Sequence, residues 1–249
     1  MKIIFIFFKK HLQDVKTYFI IVSMDIISKI KNKVIVSVQA MPSEPLYREE
    51  CMVAMMQSVV KGGAAALRVA GVRDIVNAKK LFDIPVIGIT KPDVIPPNWR
   101  EIVYITPTIK EANDIIQAGA DIVAFDGTSR PRGESNLKQL IKYIKINKKI
   151  AMADVSTLAE GVNARLLGAD IVSTTLSGYT LQSPETSDEP DFKLLDGLVK
   201  SLDCPVILEG RIWEPEQVEK AFELGAHAVV IGSAITRPQL ITKRFVNRK

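Results

Sequence analysis

LLGADIV (166–172), QAGADIV (117–123) and ELGAHAV (223–229) are three versions of one phrase. Each closes a helix-like stretch on a glycine and opens a short apolar run, which is how a helix hands over to a strand. Glycine at that joint supplies the left-handed backbone that turns the chain back into a sheet. A joint used three times implies repeated βα units.

On both sides of these joints, β-branched runs alternate with helical stretches, the pattern of a parallel sheet with crossover helices. The runs are Val34–Val38, Ala65–Val69, Val86–Ile89, Ile102–Ile105, Ile122–Phe125, Ile150–Ala153, Ile171–Thr174, Val206–Leu208 and Ala228–Ile231. Helices are expected over segments such as Glu49–Val60, Ile109–Ala118, Thr157–Leu167 and Pro215–Leu224. Nine runs are one too many for a (β/α)8 barrel. Only KPDVIPPNWRE (91–101) and Thr90 separate Ile89 from Ile102, too short and too proline-broken for a crossover helix. Ile102–Ile105 is therefore an extra strand-like segment inside the third βα unit. The chain reads as α/β, a single-domain TIM barrel over residues 24–249, and its 249 residues match the roughly 250 of such a barrel.

Residues 1–23 stand apart. The apolar run Ile3–Phe8 is broken by Lys9 and Lys10, is short for a signal-peptide core, and has no small-residue cleavage site after it. It is far too short to span a membrane. Met24 then opens MDIISKIKNKVIVSVQA, which reads as the natural start, so residues 1–23 are expected to be an upstream extension. Residues 1–33 hold seven lysines against Asp14 and Asp25, an excess of five that equals the net charge of the whole chain, +5. The rest of the chain is formally neutral, so the basic isoelectric point gives no support for a nucleic-acid partner. No membrane partner is expected either.

Apolar residues at 47% and charged residues at 24% are ordinary for a globular protein. Two cysteines, Cys51 and Cys204, make no disulfide framework and have no metal-ligand spacing, which suits a reducing, cytoplasmic compartment. Two histidines, His11 and His227, are too few for the imidazole-rich metal site of some sugar-phosphate epimerases. Neither metal nor cofactor is expected.

Barrel chemistry gathers at the C-terminal ends of the strands. The residues there are Gln39, Arg68, Lys91, Asp126, Asp154, Thr175, Glu209 with Arg211, and Gly232 with Ser233. Loops seven and eight of such barrels commonly bind phosphate through backbone amides. Gly210, Gly232 and Ser233 let a phosphate approach the main chain, and Arg237 can add a charge-assisted contact. Lys91 and Glu209 end opposite strands across the barrel mouth. A desolvated lysine near Arg68 loses basicity and becomes a usable base, while a facing glutamate can handle a proton on the other side. Two other uses of Lys91 stay open at this point: a Schiff base, and a structural ion pair with Glu209.

The segments IVSVQAMPSEPL, GGAAALRVAGVRDI, PVIGITKPD, YITPTIKE, AMADVSTLAEG, STTLSGYT, VILEGRI and IGSAITRPQLITKRF run through nearly all of residues 25–249. With them the chain resembles the bacterial N-acetylmannosamine-6-phosphate 2-epimerases. The resemblance implies an isomerase that interconverts N-acetylmannosamine 6-phosphate and N-acetylglucosamine 6-phosphate in sialic acid catabolism. It implies Lys91 as the catalytic lysine and Glu209 as its acidic partner. Gln39, Arg68 and Asp154 would hold the sugar and its carbonyl oxygen, and the loops at Gly210–Arg211 and Gly232–Ser233 the phosphate. Asp126, Thr175 and Arg237 would be further substrate contacts. One-base and two-base routes both fit. The competing readings are a ribulose-phosphate epimerase, a thiamine-phosphate synthase and a catalytically dead barrel that senses a sugar phosphate. The partner expected is a small sugar phosphate, and a homodimer is compatible with a barrel of this size.

Overall fold

A computed structural model describes residues 23–132, 136–184 and 187–247. A helix over residues 23–30 (α1) leads into β1 (Lys33–Val38). There follow α2 (Glu49–Lys61), β2 (Ala66–Ala70), α3 (Val72–Leu81), β3 (Val86–Ile89), α4 (Ile109–Gln117), β4 (Ile122–Asp126) and α5 (Leu137–Ile146). The second half comprises β5 (Ile150–Asp154), α6 (Leu158–Leu166), β6 (Ile171–Ser173), α7 (Phe192–Ser201), β7 (Val206–Glu209), α8 (Pro215–Glu223), β8 (Ala228–Ile231), α9 (Ser233–Thr236) and α10 (Pro238–Val246). The strands close into one parallel barrel in chain order, and β8 pairs with β1. The expected TIM barrel is what forms.

The three repeated joints behave as their sequence requires: Gly119, Gly168 and Gly225 have φ of 98°, 106° and 89°. The expected helices end within a residue of their assigned limits, the difference falling on caps. Thr157, for example, caps α6, accepting from the Glu160 amide while the Glu160 carboxylate accepts from the Thr157 amide.

The segment Ile102–Ile105 is not a strand. The Asp126 amide donates to the Ile105 carbonyl at 3.1 Å and the Thr106 amide to the Thr90 carbonyl at 3.2 Å. The segment thus wedges between the ends of β3 and β4, which pair through only Ile87↔Ile122 and Gly88↔Val123. Thr106 has φ 42°, so the backbone turns away after one bond on each side. Its apolar character comes from burial under the rim, where Ile105 is 3% exposed.

Two apolar layers share each strand because side chains alternate sides. Val36, Leu67, Val86, Val123, Phe125 and Leu208 pack outward with the helices. Ile35, Ala66, Ile87, Ile122, Ile150, Met152, Ile171 and Ile207 fill the interior. Ile30 of α1 joins the interior cluster from below, and His227 Nε2 lies 2.9 Å from the Ile27 carbonyl, so α1 stoppers the N-terminal end. Two residues further along five of the strands, the inward series changes character. Ile35 gives way to Ser37, Ala66 to Arg68, Met152 to Asp154, Ile171 to Ser173 and Ile207 to Glu209. The register aligns Ser37 with Arg68, Asp126 with Asp154 and Asp154 with Ser173. An apolar plug below and one polar layer at the C-terminal rim is the arrangement that positions a site. Among the described residues, no helix is long and apolar enough to cross a membrane.

Candidate active site

Above the polar layer opens a cavity of about 850 Å³. Of the anticipated residues, Gln39, Lys91, Thr175, Glu209, Gly210, Arg211, Gly232, Ser233 and Arg237 all line it. Arg68, Asp154 and Asp126 do not. Arg68 and Asp154 are 1% and 0% exposed and lock together, Arg68 donating to both carboxylate oxygens at 2.5 and 3.1 Å. The second contact of Arg68 is Glu209 Oε2, 3.0 Å from Nη1. Burial disfavours the charged guanidinium, but Asp154 and Glu209 outweigh it and hold Arg68 protonated far above any working pH.

Asp126 serves another cluster. It accepts from the Thr128 amide and hydroxyl at 2.9 and 2.6 Å and pairs with Arg130. Burial pushes its carboxyl up, against the pull of Arg130. Arg130 in turn donates to the Trp99 carbonyl at 2.7 Å and sits 6.0 Å from the centroid of Tyr104. Tyr104 and Tyr179 face the cavity, with Trp99 packed 6.3 Å from Tyr179 between ring centroids. The pattern analysis did not single out these tyrosines, although YITPTIKE and LSGYT contain them.

Lys91 carries the unusual chemistry. Its amine is pushed down to about 8, first by burial and then by the positive charges of Arg68 and Arg237, against the pull of Glu209. Among the described residues, no carboxylate lies within the 4.0 Å of an ion pair. Glu209 is paired with Arg68 instead, so a Lys91–Glu209 structural pair does not form. Glu209 is itself pushed up, first by burial and also by Asp154, despite Arg68. Both groups are therefore shifted towards their neutral forms, the condition for proton traffic between a base and an acid. Thr175 Oγ1 joins the cluster, within 3.0 Å of both Asp154 and Glu209.

The remaining residues frame the mouth. Gln39 donates from Nε2 to Ser37 Oγ at 2.7 Å, while its buried Oε1 has no hydrogen-bond partner among the described residues. Gly210 and Arg211 have φ of 113° and 57°, a kink that sends the chain across the rim after β7. Arg211 holds that conformation by donating to the carbonyls of Glu189 and Ser177 at 2.8 and 2.6 Å. Its guanidinium thus latches the long β6–α7 loop. Arg237 pairs with Glu44 at 2.6 Å, a partner that sequence reasoning missed, since 193 residues separate the two.

Over residues 52–249 the chain matches the family model described as "Putative N-acetylmannosamine-6-phosphate epimerase". It belongs to that family. A relative from Caldanaerobacter subterraneus is 48% identical over 228 residues, covering 90% of this chain and 93% of the relative. One from Clostridioides difficile is 46% identical over 222 residues, covering 88% and 97%. Both are described as "Putative N-acetylmannosamine-6-phosphate 2-epimerase". The solved structure of the N-acetylmannosamine-6-phosphate 2-epimerase from Clostridium perfringens is 45% identical, with a TM-score of 0.84, and covers 89% of this chain and 95% of its own. A thiamine phosphate pyrophosphorylase from Pyrococcus furiosus, 17% identical with a TM-score of 0.56, shares the fold alone. The epimerase family is thus matched along most of the chain, including every residue of the cavity that lies beyond β1 and its loop.

Proposed function

We propose that this chain interconverts N-acetylmannosamine 6-phosphate and N-acetylglucosamine 6-phosphate, acting in sialic acid degradation. The observation that carries the chemistry is Lys91, an amine lowered to about 8 in a cavity whose other proton-transfer group, Glu209, is raised. In the open-chain aldehyde the C2 hydrogen is acidified, because its removal gives an enolate. Lys91 takes that hydrogen as a proton, and Glu209 delivers its own to the opposite face, which inverts C2. The enolate oxygen is stabilised by the positive field of Arg68 and by the Lys91 ammonium formed in the same step. Gln39 Oε1 is suited to accept from a substrate hydroxyl or N–H, being buried and unpartnered among the described residues. The phosphate is assigned to the main chain at Gly210, Gly232 and Ser233 with Arg237. Arg211 shapes that loop while its guanidinium holds Ser177 and Glu189. Asp154 acts through Arg68, and Asp126 through Arg130 and the wall that carries Tyr104.

A phosphorylated sugar is a charged metabolite that does not diffuse out of a cell, which supports a cytoplasmic location. No residue of α10 is buried, and its Phe245 and Val246 are exposed. This supports a homodimer that covers the helix, checked by the mass in solution from light scattering.

The test of the reaction is proton NMR of the protein with N-acetylmannosamine 6-phosphate in D2O containing EDTA. Conversion to the gluco epimer with deuterium at C2 is the expected outcome, and Lys91→Ala is expected to abolish it in a folded protein. Absence of conversion by the folded wild-type chain refutes the assignment.

A further inference from the structure

Thr175 Oγ1 stands at the centre of three short contacts: 2.8 Å to Asp154 Oδ1, 3.0 Å to Glu209 Oε2 and 2.8 Å to Ser173 Oγ. Oxygens at such distances need one hydrogen between each pair, because facing lone pairs repel. Thr175 supplies one hydrogen and Ser173 a second. The third has to come from a carboxyl group. Asp154 is the poorer holder, since both of its oxygens accept from the Arg68 fork at 2.5 and 3.1 Å, an arrangement that favours the carboxylate. Glu209 meets the same guanidinium through a single oxygen. The third hydrogen therefore belongs on Glu209.

We propose that Thr175 is a positioning residue that keeps Glu209 in its acid form, accepting the Glu209 hydroxyl and donating onward to Asp154. The proposal rests on the epimerase reading and deepens it, because it fixes which of the two proton-transfer groups begins loaded. Glu209 starts as the acid and Lys91 as the free amine. In one turnover the C2 hydrogen moves to the Lys91 nitrogen and the Glu209 proton moves to C2. Proton number is conserved within the cluster, and exchange with water resets it. Once Glu209 is an anion, Thr175 still donates to Asp154, so the new carboxylate faces a hydroxyl lone pair and readily takes a proton back.

The opposite polarity, with Thr175 donating to an ionised Glu209 from the outset, leaves Asp154 Oδ1 facing a bare lone pair at 2.8 Å. The two polarities predict shifts of opposite sign. The groups acting on Glu209 are Arg68 from β2, Asp154 from β5, Lys91 after β3 and Thr175 after β6. Of these, only Thr175 can be changed without altering a charge.

The experiment is carbon NMR titration of the full chain labelled at its glutamate carboxyl carbons, with the Glu209 signal identified by its loss in Glu209→Gln. The wild-type signal is expected to titrate above the usual carboxylate range. Thr175→Val is expected to lower its midpoint by about one pH unit, a tenfold change in the protonation equilibrium. Thr175→Ser should restore it. In the rate of epimerisation, Thr175→Val should lower kcat by about tenfold and leave KM nearly unchanged. An unshifted or raised midpoint in Thr175→Val overturns the proposal. So does a wild-type Glu209 that titrates in the ordinary range, a result that needs no variant at position 175. The titration uses no substrate, so a protein that fails to epimerise refutes the functional reading without deciding the hydrogen-bond polarity.

Discussion

Lys91→Met is expected to destroy turnover and to make the protein more stable. The Lys91 amine falls from 10.5 to about 8 on folding, so the folded state binds its proton less tightly than the unfolded chain does. Below pH 8 both states carry the proton and the folded state bears the whole penalty. Between about 8 and 10.5 the folded amine is neutral and the penalty fades as pH rises. Above that window it is gone. The full difference corresponds to about 3 kcal/mol. Lys91 is half-buried at the cavity mouth, and water reaching it reduces the expected gain to about 2 kcal/mol. Methionine matches the lysine stem in length and flexibility, so little packing is lost. In a domain of this size, a gain of about 2 kcal/mol raises Tm by about 4–8 °C. The assay is urea unfolding of both proteins at pH 7 and again at pH 10, each point followed by circular dichroism. The gain should be present at pH 7 and much reduced at pH 10. A variant that is less stable at pH 7 refutes the reasoning, because it would mean that the amine is satisfied by a structural partner and costs the fold nothing.

Competitive acylation read by mass spectrometry should find Lys91 reacting with a midpoint near pH 8; a midpoint near 10.5 would remove the perturbed amine. Gly88→Ala should destabilise by about 1–3 kcal/mol. Its new methyl would lie 2.4 Å from Ile115 Cγ2 and 2.9 Å from both Ala120 Cβ and Ile75 Cδ1, so an unchanged melting curve would contradict the packing behind β3. Arg211→Ala frees the carbonyls of Ser177 and Glu189 and relaxes a left-handed backbone, so KM should rise several-fold with kcat less affected. A fall confined to kcat would place Arg211 in the chemistry instead.

The barrel was legible because its signals are local. A glycine at three of the helix-to-strand joints and short β-branched runs can be read from a dozen residues at a time, and the strand ends follow from them. Ile102–Ile105 misleads for a related reason. It is apolar because the rim buries it, and local pattern cannot tell burial under a loop from burial in a sheet. The site was half legible. Lys91 and Glu209 could be chosen as strand-end residues on opposite sides of the mouth, yet their partners could not. Arg68 meets Asp154 across 86 residues and Arg237 meets Glu44 across 193, and such pairings depend on register rather than on neighbours. The latch formed by Arg211 was invisible because its acceptors are carbonyls, which every residue possesses. The expected extension, residues 1–23, lies outside the described residues except for Ser23, which opens α1.

The ionic layer also bears on how such a barrel can be cut and rejoined. A division after β4 leaves Arg68 in the first half and both Asp154 and Glu209 in the second. Neither half is electrically balanced at its rim, and a buried charge separated from its partner costs about 3–5 kcal/mol. Fragments made at that point should associate rather than fold independently. Chimaeras that join halves from two parent barrels should tolerate almost any junction loop, yet fail wherever one parent lacks its member of the triad.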